Sequence, residues 1–189
     1  ENLAQTLRQS IVAGKLPHAI ILHGIRGVGK TTTARIIAKG LNCEKGPTVD
    51  PCGVCSSCQA IAQDRHLDVI EMDAASHTGV DDVREVIETA KYKAVQGKYK
   101  VYIIDEVHML SKSAFNALLK TLEEPPSYAV ILILTTNIHS LLPTILSRCV
   151  VLNMKPVKDD LVRKYLIETL EVPDYKAEIC VAFARGNIG

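Results

Sequence analysis

Three groups of residues in this chain of 189 have the types and spacing that chemistry needs. The first is Gly24-Ile25-Arg26-Gly27-Val28-Gly29-Lys30-Thr31, a full G-x-x-x-x-G-K-[ST] pattern, followed by Thr32. Glycines let such a loop wrap backbone N–H groups around phosphate oxygens. Lys30 can reach the β and γ phosphates and Thr31 can offer its hydroxyl to Mg²⁺. A helix starting there points its positive end at the anion. The alternative is a Gly-rich turn with an N-capping Thr. The setting between an apolar run and a helical stripe argues against it.

The second group is Asp105-Glu106, at the end of the apolar run Val101-Tyr102-Ile103-Ile104. The carboxyl edge of a parallel sheet is where ligands bind. Beside a phosphate loop, an Asp at such an edge holds Mg²⁺ and an adjacent Glu polarises the attacking water. Without that loop the pair would read equally well as solvated carboxylates in a turn.

The third group is Cys43, Cys52, Cys55 and Cys58, spaced C-x8-C-x2-C-x2-C. Thiolates two residues apart can grip one ion from a turn, and Cys43 can close a tetrahedral all-sulfur zinc site, structural because no position stays open. An iron–sulfur cluster or a redox C-x-x-C pair are the alternatives, although the usual fourth cluster Cys lies downstream. Cys149 and Cys180 fall in apolar patterns and read as buried core thiols.

Positioning these groups takes alternating strands and helices. Strands are expected at Ala19–Leu22, Leu67–Met72, Val101–Asp105, Val130–Thr135 and Cys149–Leu152. Helices are expected at Lys30–Leu41, Val80–Tyr92, from an N-capping Ser111 to Pro125, Asp159–Leu170 and Tyr175–Arg185. Leu3, Leu7 and Ile11 add a helical stripe before Gly14. Strand–helix alternation implies an α/β fold with a parallel sheet covered on both faces. After Pro156 the pattern is purely helical, so a boundary is expected near 155, between a nucleotide-binding domain and the beginning of a helical domain. The opening at Glu1 and the close at Gly189 read as cuts within a longer protein. Charge is balanced, 22 Lys+Arg against 21 Asp+Glu, so no global field advertises nucleic acid or membrane. No run has the ~20 apolar residues of a membrane helix, and six Cys in a chain this long suit a reducing compartment rather than a disulfide scaffold.

In order, HGIRGVGKTTTARIIAKGLNC, PCGVCSSC, DAAS, VYIIDEVHMLSKSAFNALLKTLEEPP and LLPTILSRC resemble the bacterial DNA polymerase III gamma/tau subunits, from about His18 to Pro156. These are ATPase motors of the sliding-clamp loader in the AAA+ superfamily. The resemblance implies a P-loop AAA+ fold with a five-stranded parallel sheet, a four-cysteine zinc insertion at 43–58 and the start of a helical lid at 156–189. It implies ATP, Mg²⁺ and a structural Zn²⁺. Gly24 to Thr32 would be the nucleotide loop, Asp105 and Glu106 the Walker B pair, and Thr136 the sensor of the γ-phosphate. Arg148, in Ser147-Arg148-Cys149, would be an arginine finger acting in trans. Implied partners are delta, delta-prime and further gamma/tau subunits, the sliding clamp, primer–template DNA and the polymerase core through a tail. The implied location is the bacterial cytoplasm, at the nucleoid-associated replisome, with no membrane.

Two departures stand out. Gly189 aligns where the family's second sensor carries Arg, and the N-terminal segment that packs near the adenine is expected to be missing. For DNA, the helix from about Thr78 with Arg84, and the helix from Ser111 with Lys112 and Lys120, are candidates for backbone contact. Lys91, Lys93, Lys98 and Lys100 read as a solvated loop. One rival is a scaffold like the delta-prime subunit, against which the complete phosphate loop argues. The other is a zinc-dependent nucleic-acid module, which residues 43–58, with Lys45 alone as a basic residue, serve poorly.

Overall fold

A computed structural model describes residues 5, 8–11, 13, 15–76 and 80–187, with backbone alone at 80 and 82. Leu3, Leu7, Gly14, Thr78 and Gly189 lie outside the described residues. The elements run β1 (Ala19–His23), α1 (Lys30–Asn42), α2 (Ser56–Ala62), β2 (Val69–Asp73), α3 (Val80–Ala90), β3 (Lys100–Asp105) and α4 (Lys112–Glu123). They continue with β4 (Ala129–Thr135), α5 (Pro143–Leu146), β5 (Val150–Asn153), α6 (Asp159–Glu168) and α7 (Asp174–Ala184). Among the described residues no helix is long and apolar enough to cross a membrane.

The strands form one parallel sheet in the order β2-β3-β4-β1-β5. Their continuous apolar sequences follow from burial on both faces. Side chains alternate between two cores. Ile20, Leu22, Val101, Ile103, Leu132 and Leu134 pack with Ala34, Ile37, Ala38 and Leu41 of α1 and Ile61 of α2. Ile21, Tyr102, Ile104, Ile131 and Ile133 pack on the other face with Val83 of α3, Phe115 and Leu118 of α4, and Ile145 of α5. Register places His23 opposite Thr135 and Asp73 opposite Asp105, so the carboxyl ends of four strands share one edge. β1 stands between β4 and β5, and its loop opens beside β4, where ligands bind such sheets.

Ser111 caps α4 as expected, its Oγ accepting from Ala114 N at 3.3 Å, and the prolines after Glu124 end the helix. Two expectations need correction. Lys91 and Lys93 are solvated, but Lys100 is buried and its Nζ donates to the Thr89 carbonyl at 2.8 Å, while Lys98 Nζ donates to the Gly46 carbonyl. Cys149 is half-buried against the core, yet Cys180 is exposed. α7 packs on α6 through Ala177, and apolar residues elsewhere around it, including Phe183, face outward.

Candidate nucleotide and metal sites

Gly27 and Gly29 hold φ of 78° and 84°, left-handed angles that disfavour any L side chain. Gly29 caps α1 without a side-chain hydrogen bond, so the first amides of a 13-residue helix stay available to an anion. Val28 is buried beneath the loop, and Gly24 N donates to the Thr135 carbonyl at 3.2 Å, tying the loop to β4. Lys30 is buried, and its Nζ donates to the carbonyls of Gly24 at 2.9 Å and Ile25 at 3.0 Å. Burial pulls its pKa down, the nearby Glu106 and Asp105 carboxylates oppose this, and the Arg26 charge adds to the lowering.

Thr31 Oγ1 donates to Asp105 Oδ2 at 2.7 Å, joining the helix start to the end of β3. Glu106 follows at φ 47°, a left-handed angle that costs a non-glycine residue roughly 1 kcal/mol. Its Oε1 accepts from Arg26 Nε at 3.2 Å and its Oε2 from Thr136 Oγ1 at 3.3 Å. His108 Nδ1 lies 3.4 Å from the same Oε2. Thr136 reaches Glu106 because β4 lies between β1 and β3 in the sheet. A cleft of about 320 Å³ is lined by Arg26, Gly27, Gly29, Lys30, Thr31 and Thr32 with the carboxylates of Asp73, Asp105 and Glu106. Thr31 and Asp105 together offer oxygens to a divalent cation, and the loop amides and Lys30 suit phosphate.

Three participants were missed in the sequence. Asp73 ends β2 beside Asp105 and lines the cleft, the same signal that singled out Asp105. His108 is brought to Glu106 by the short 3₁₀ turn Val107–Met109. The Asn187 side chain stands where a Cβ on Gly27 would lie, a contact no local pattern announces. Arg148 lies elsewhere. Its Nη1 donates to the Thr144 carbonyl at 2.8 Å and its Nη2 pairs with Glu123 Oε1 at 3.1 Å, and it does not line the cleft. Arg84, Lys112 and Lys120 are exposed, with Arg84 paired to Asp81 at 3.3 Å.

The sulfurs of Cys43, Cys52, Cys55 and Cys58 all lie within 4.8 Å of one another, with Cys43 to Cys52 at 3.6 Å. Four thiolates about 2.3 Å from a tetrahedral Zn²⁺ stand roughly 3.8 Å apart, so the set fits that ion. α2 shapes the site: Cys55 caps it, accepting from Cys58 N at 3.5 Å, and Cys52 Sγ accepts from Cys55 N at 3.4 Å. Hydrogen bonds from the backbone of Glu44 and Cys58 lower the Cys55 thiol to about 6. Burial pushes Cys58 up to about 12. A bound cation deprotonates such a thiol outright.

A model of the family described as DNA polymerase III, delta subunit, matches residues 1–158. The DNA polymerase III subunit tau of Salmonella typhimurium is 49% identical over 166 residues, covering 88% of this chain and 26% of that protein. The DNA polymerase III subunit gamma of Buchnera aphidicola is 39% identical over 193 residues, covering 100% of this chain and 54% of that one. The chain belongs to the DNA polymerase III gamma/tau family. It spans between about a quarter and about half the length of these gamma/tau relatives. Among solved structures, a gamma subunit-related protein of Thermotoga maritima matches with TM-score 0.57 and 26% identity, over 96% of this chain and 57% of that one. The RuvB Holliday junction branch migration motor of Thermotoga maritima matches with TM-score 0.64 at 19% identity, over 99% and 57%. That second likeness shows the fold alone: this gamma/tau family member has a P-loop ATPase fold.

Proposed function

We propose that this chain is the nucleotide-binding part of an ATP-hydrolysing motor subunit of the bacterial sliding-clamp loader in DNA replication. The observation that carries the reading is the Thr31 Oγ1 to Asp105 Oδ2 bond of 2.7 Å beside a buried Lys30. It joins two oxygen ligands of a hard cation next to an ammonium suited to phosphate. The loop amides from Gly24 to Thr32 and the α1 N-terminus bind the triphosphate, and Lys30 exchanges loop carbonyls for the β and γ phosphate oxygens. Thr31 and Asp105 would hold Mg²⁺, and the ion would supply positive charge against the phosphates. Glu106 orients the attacking water and accepts its proton, and Thr136 couples Glu106 to the γ-phosphate position.

Arg148 belongs to the site of a neighbouring subunit, where its guanidinium stabilises charge on the transferred phosphoryl group. Cys43, Cys52, Cys55 and Cys58 hold a structural Zn²⁺. Residues 1–155 form the nucleotide domain and 156–189 begin a helical lid. The proposed partners are delta, delta-prime and further gamma/tau subunits, the clamp, primer–template DNA and the polymerase core, at the replisome in the bacterial cytoplasm.

The test is titration of a fluorescent ATP analogue with Mg²⁺ against the chain and its Lys30→Ala variant. The expected result is binding by the first and a loss of at least about tenfold in the second, since a charge-assisted phosphate contact is removed. Equal binding by both, or none by the unsubstituted chain, overturns the reading.

A further inference from the structure

Both carboxylate oxygens of Glu106 are engaged, Oε1 by Arg26 and Oε2 by Thr136. A general base needs a lone pair turned toward the water it deprotonates. Among these partners Arg26 is the one that is permanently charged. It sits on the loop tip next to Gly27 and lines the phosphate cleft. Its side chain is 83% exposed, whereas that of Glu106 is 14% exposed at the end of β3. An ion pair with one exposed, movable member is weak and breaks readily for a better partner. A triphosphate entering the cleft is such a partner, since it carries several negative charges and guanidinium binds phosphate through paired N–H donors.

We propose that Arg26 is a positioning residue that pins Glu106 while the cleft is empty and transfers to the phosphates of an incoming nucleoside triphosphate, freeing Oε1 to face water. The proposal rests on the ATPase reading above. It makes the base available when its substrate is present, and it gives the second variable position of the phosphate loop a role beyond its backbone amide. Nucleotide affinity then contains the work of separating Arg26 from Glu106.

A double-mutant cycle on full-length protein tests this, with AMP-PNP and Mg²⁺ as the probe and R26A, E106Q and the double variant compared. Glu106→Gln removes a negative charge beside the phosphates in any background, so it tightens AMP-PNP binding in both. With Arg26 present it also releases the guanidinium. The expected tightening is therefore larger with Arg26 than in the R26A background, by about two- to fivefold, the equilibrium weight of an exposed ion pair. R26A alone weakens binding, and R26K, which keeps the charge without the planar fork, restores part of the non-additivity. Equal effects of Glu106→Gln in the two backgrounds overturn the proposal and reduce Arg26 to a solvated charge, leaving the ATPase reading intact. Failure of the unsubstituted protein to bind AMP-PNP overturns both. Because Arg26 is exposed, unfolding midpoints of its variants should stay near that of the parent, so a changed affinity reports the site itself.

Discussion

At Asp68 a single buried carboxylate organises a whole turn, accepting from the backbone N–H of Val95 at 2.8 Å, Gln96 at 2.6 Å and Gly97 at 2.7 Å. Burial alone would raise its pKa, but these backbone donors, helped by His66, hold it below the ordinary value of 3.8. A depressed folded-state value means the contribution is fully present above that ordinary value. It is lost as pH falls through the lower folded value. Asp68→Ala removes the shared acceptor of three backbone amides in a half-buried turn and is expected to destabilise the chain by about 1–3 kcal/mol near neutral pH. Denaturant unfolding at neutral and strongly acid pH checks this: the gap between parent and variant should narrow only below about pH 4. A gap that is constant with pH would show that the charge is irrelevant.

Elements were legible where a local pattern fixes them. The stripe Ala34, Ile37, Ala38, Leu41 announced α1, and Ser111 with Pro125-Pro126 bracketed α4. α2 was not expected, because it has seven residues inside a Cys-rich stretch and its cap is a thiol. α5 is a single turn begun by Pro143. The insertion of β1 between β4 and β5 joins segments far apart in sequence, which no local period encodes. The same division holds in the candidate site. The phosphate loop and Asp105-Glu106 are contiguous motifs, whereas Asp73 and Asn187 arrive through strand register and long-range packing, and His108 through a short turn that no motif announces. Cys180 was misread because apolar spacing says which residues share a face and not whether anything covers it.

The four-cysteine module also has a reach that its sequence hides. Asn42, one residue before Cys43, accepts from Lys98 N and Tyr99 N and donates to the Tyr99 carbonyl, all at 2.9 Å. A Zn²⁺ held at Cys43 would thus fix the end of α1 against the approach to β3. Chelation, or Cys58→Ser, is expected to lower the unfolding midpoint by roughly 5 °C, and to speed hydrogen exchange at Lys98 and Tyr99 before the sheet amides. An unchanged midpoint with no metal released on denaturation would remove zinc from the account.

For the whole molecule, the informative distance is the one the chain does not close by itself. Arg148 is held by Thr144 and Glu123 and does not line the cleft that Lys30 and Asp105 define. If each complete site joins the loop of one subunit to the Arg148 of the next, lesions in the two parts must complement. Lys30→Ala removes a subunit's own site yet leaves its Arg148 to serve a neighbour. Arg148→Ala does the reverse and should leave nucleotide binding unchanged. In full-length protein assembled with its partners, each variant alone is expected to lose at least about 90% of ATPase activity, since an arginine finger contributes about a thousandfold or more. Mixing the two variants before assembly places an intact loop beside an intact Arg148 at some interfaces, so ATPase should rise severalfold above either alone. A mixture no more active than its components would mean that Arg148 acts within its own subunit or not at all. A fall in nucleotide affinity of the isolated Arg148→Ala chain would point to the same conclusion. The balanced charge of the chain sharpens the reading, because with 22 Lys+Arg against 21 Asp+Glu no general attraction draws subunits together. Recovery would then require specific juxtaposition of loop and Arg148.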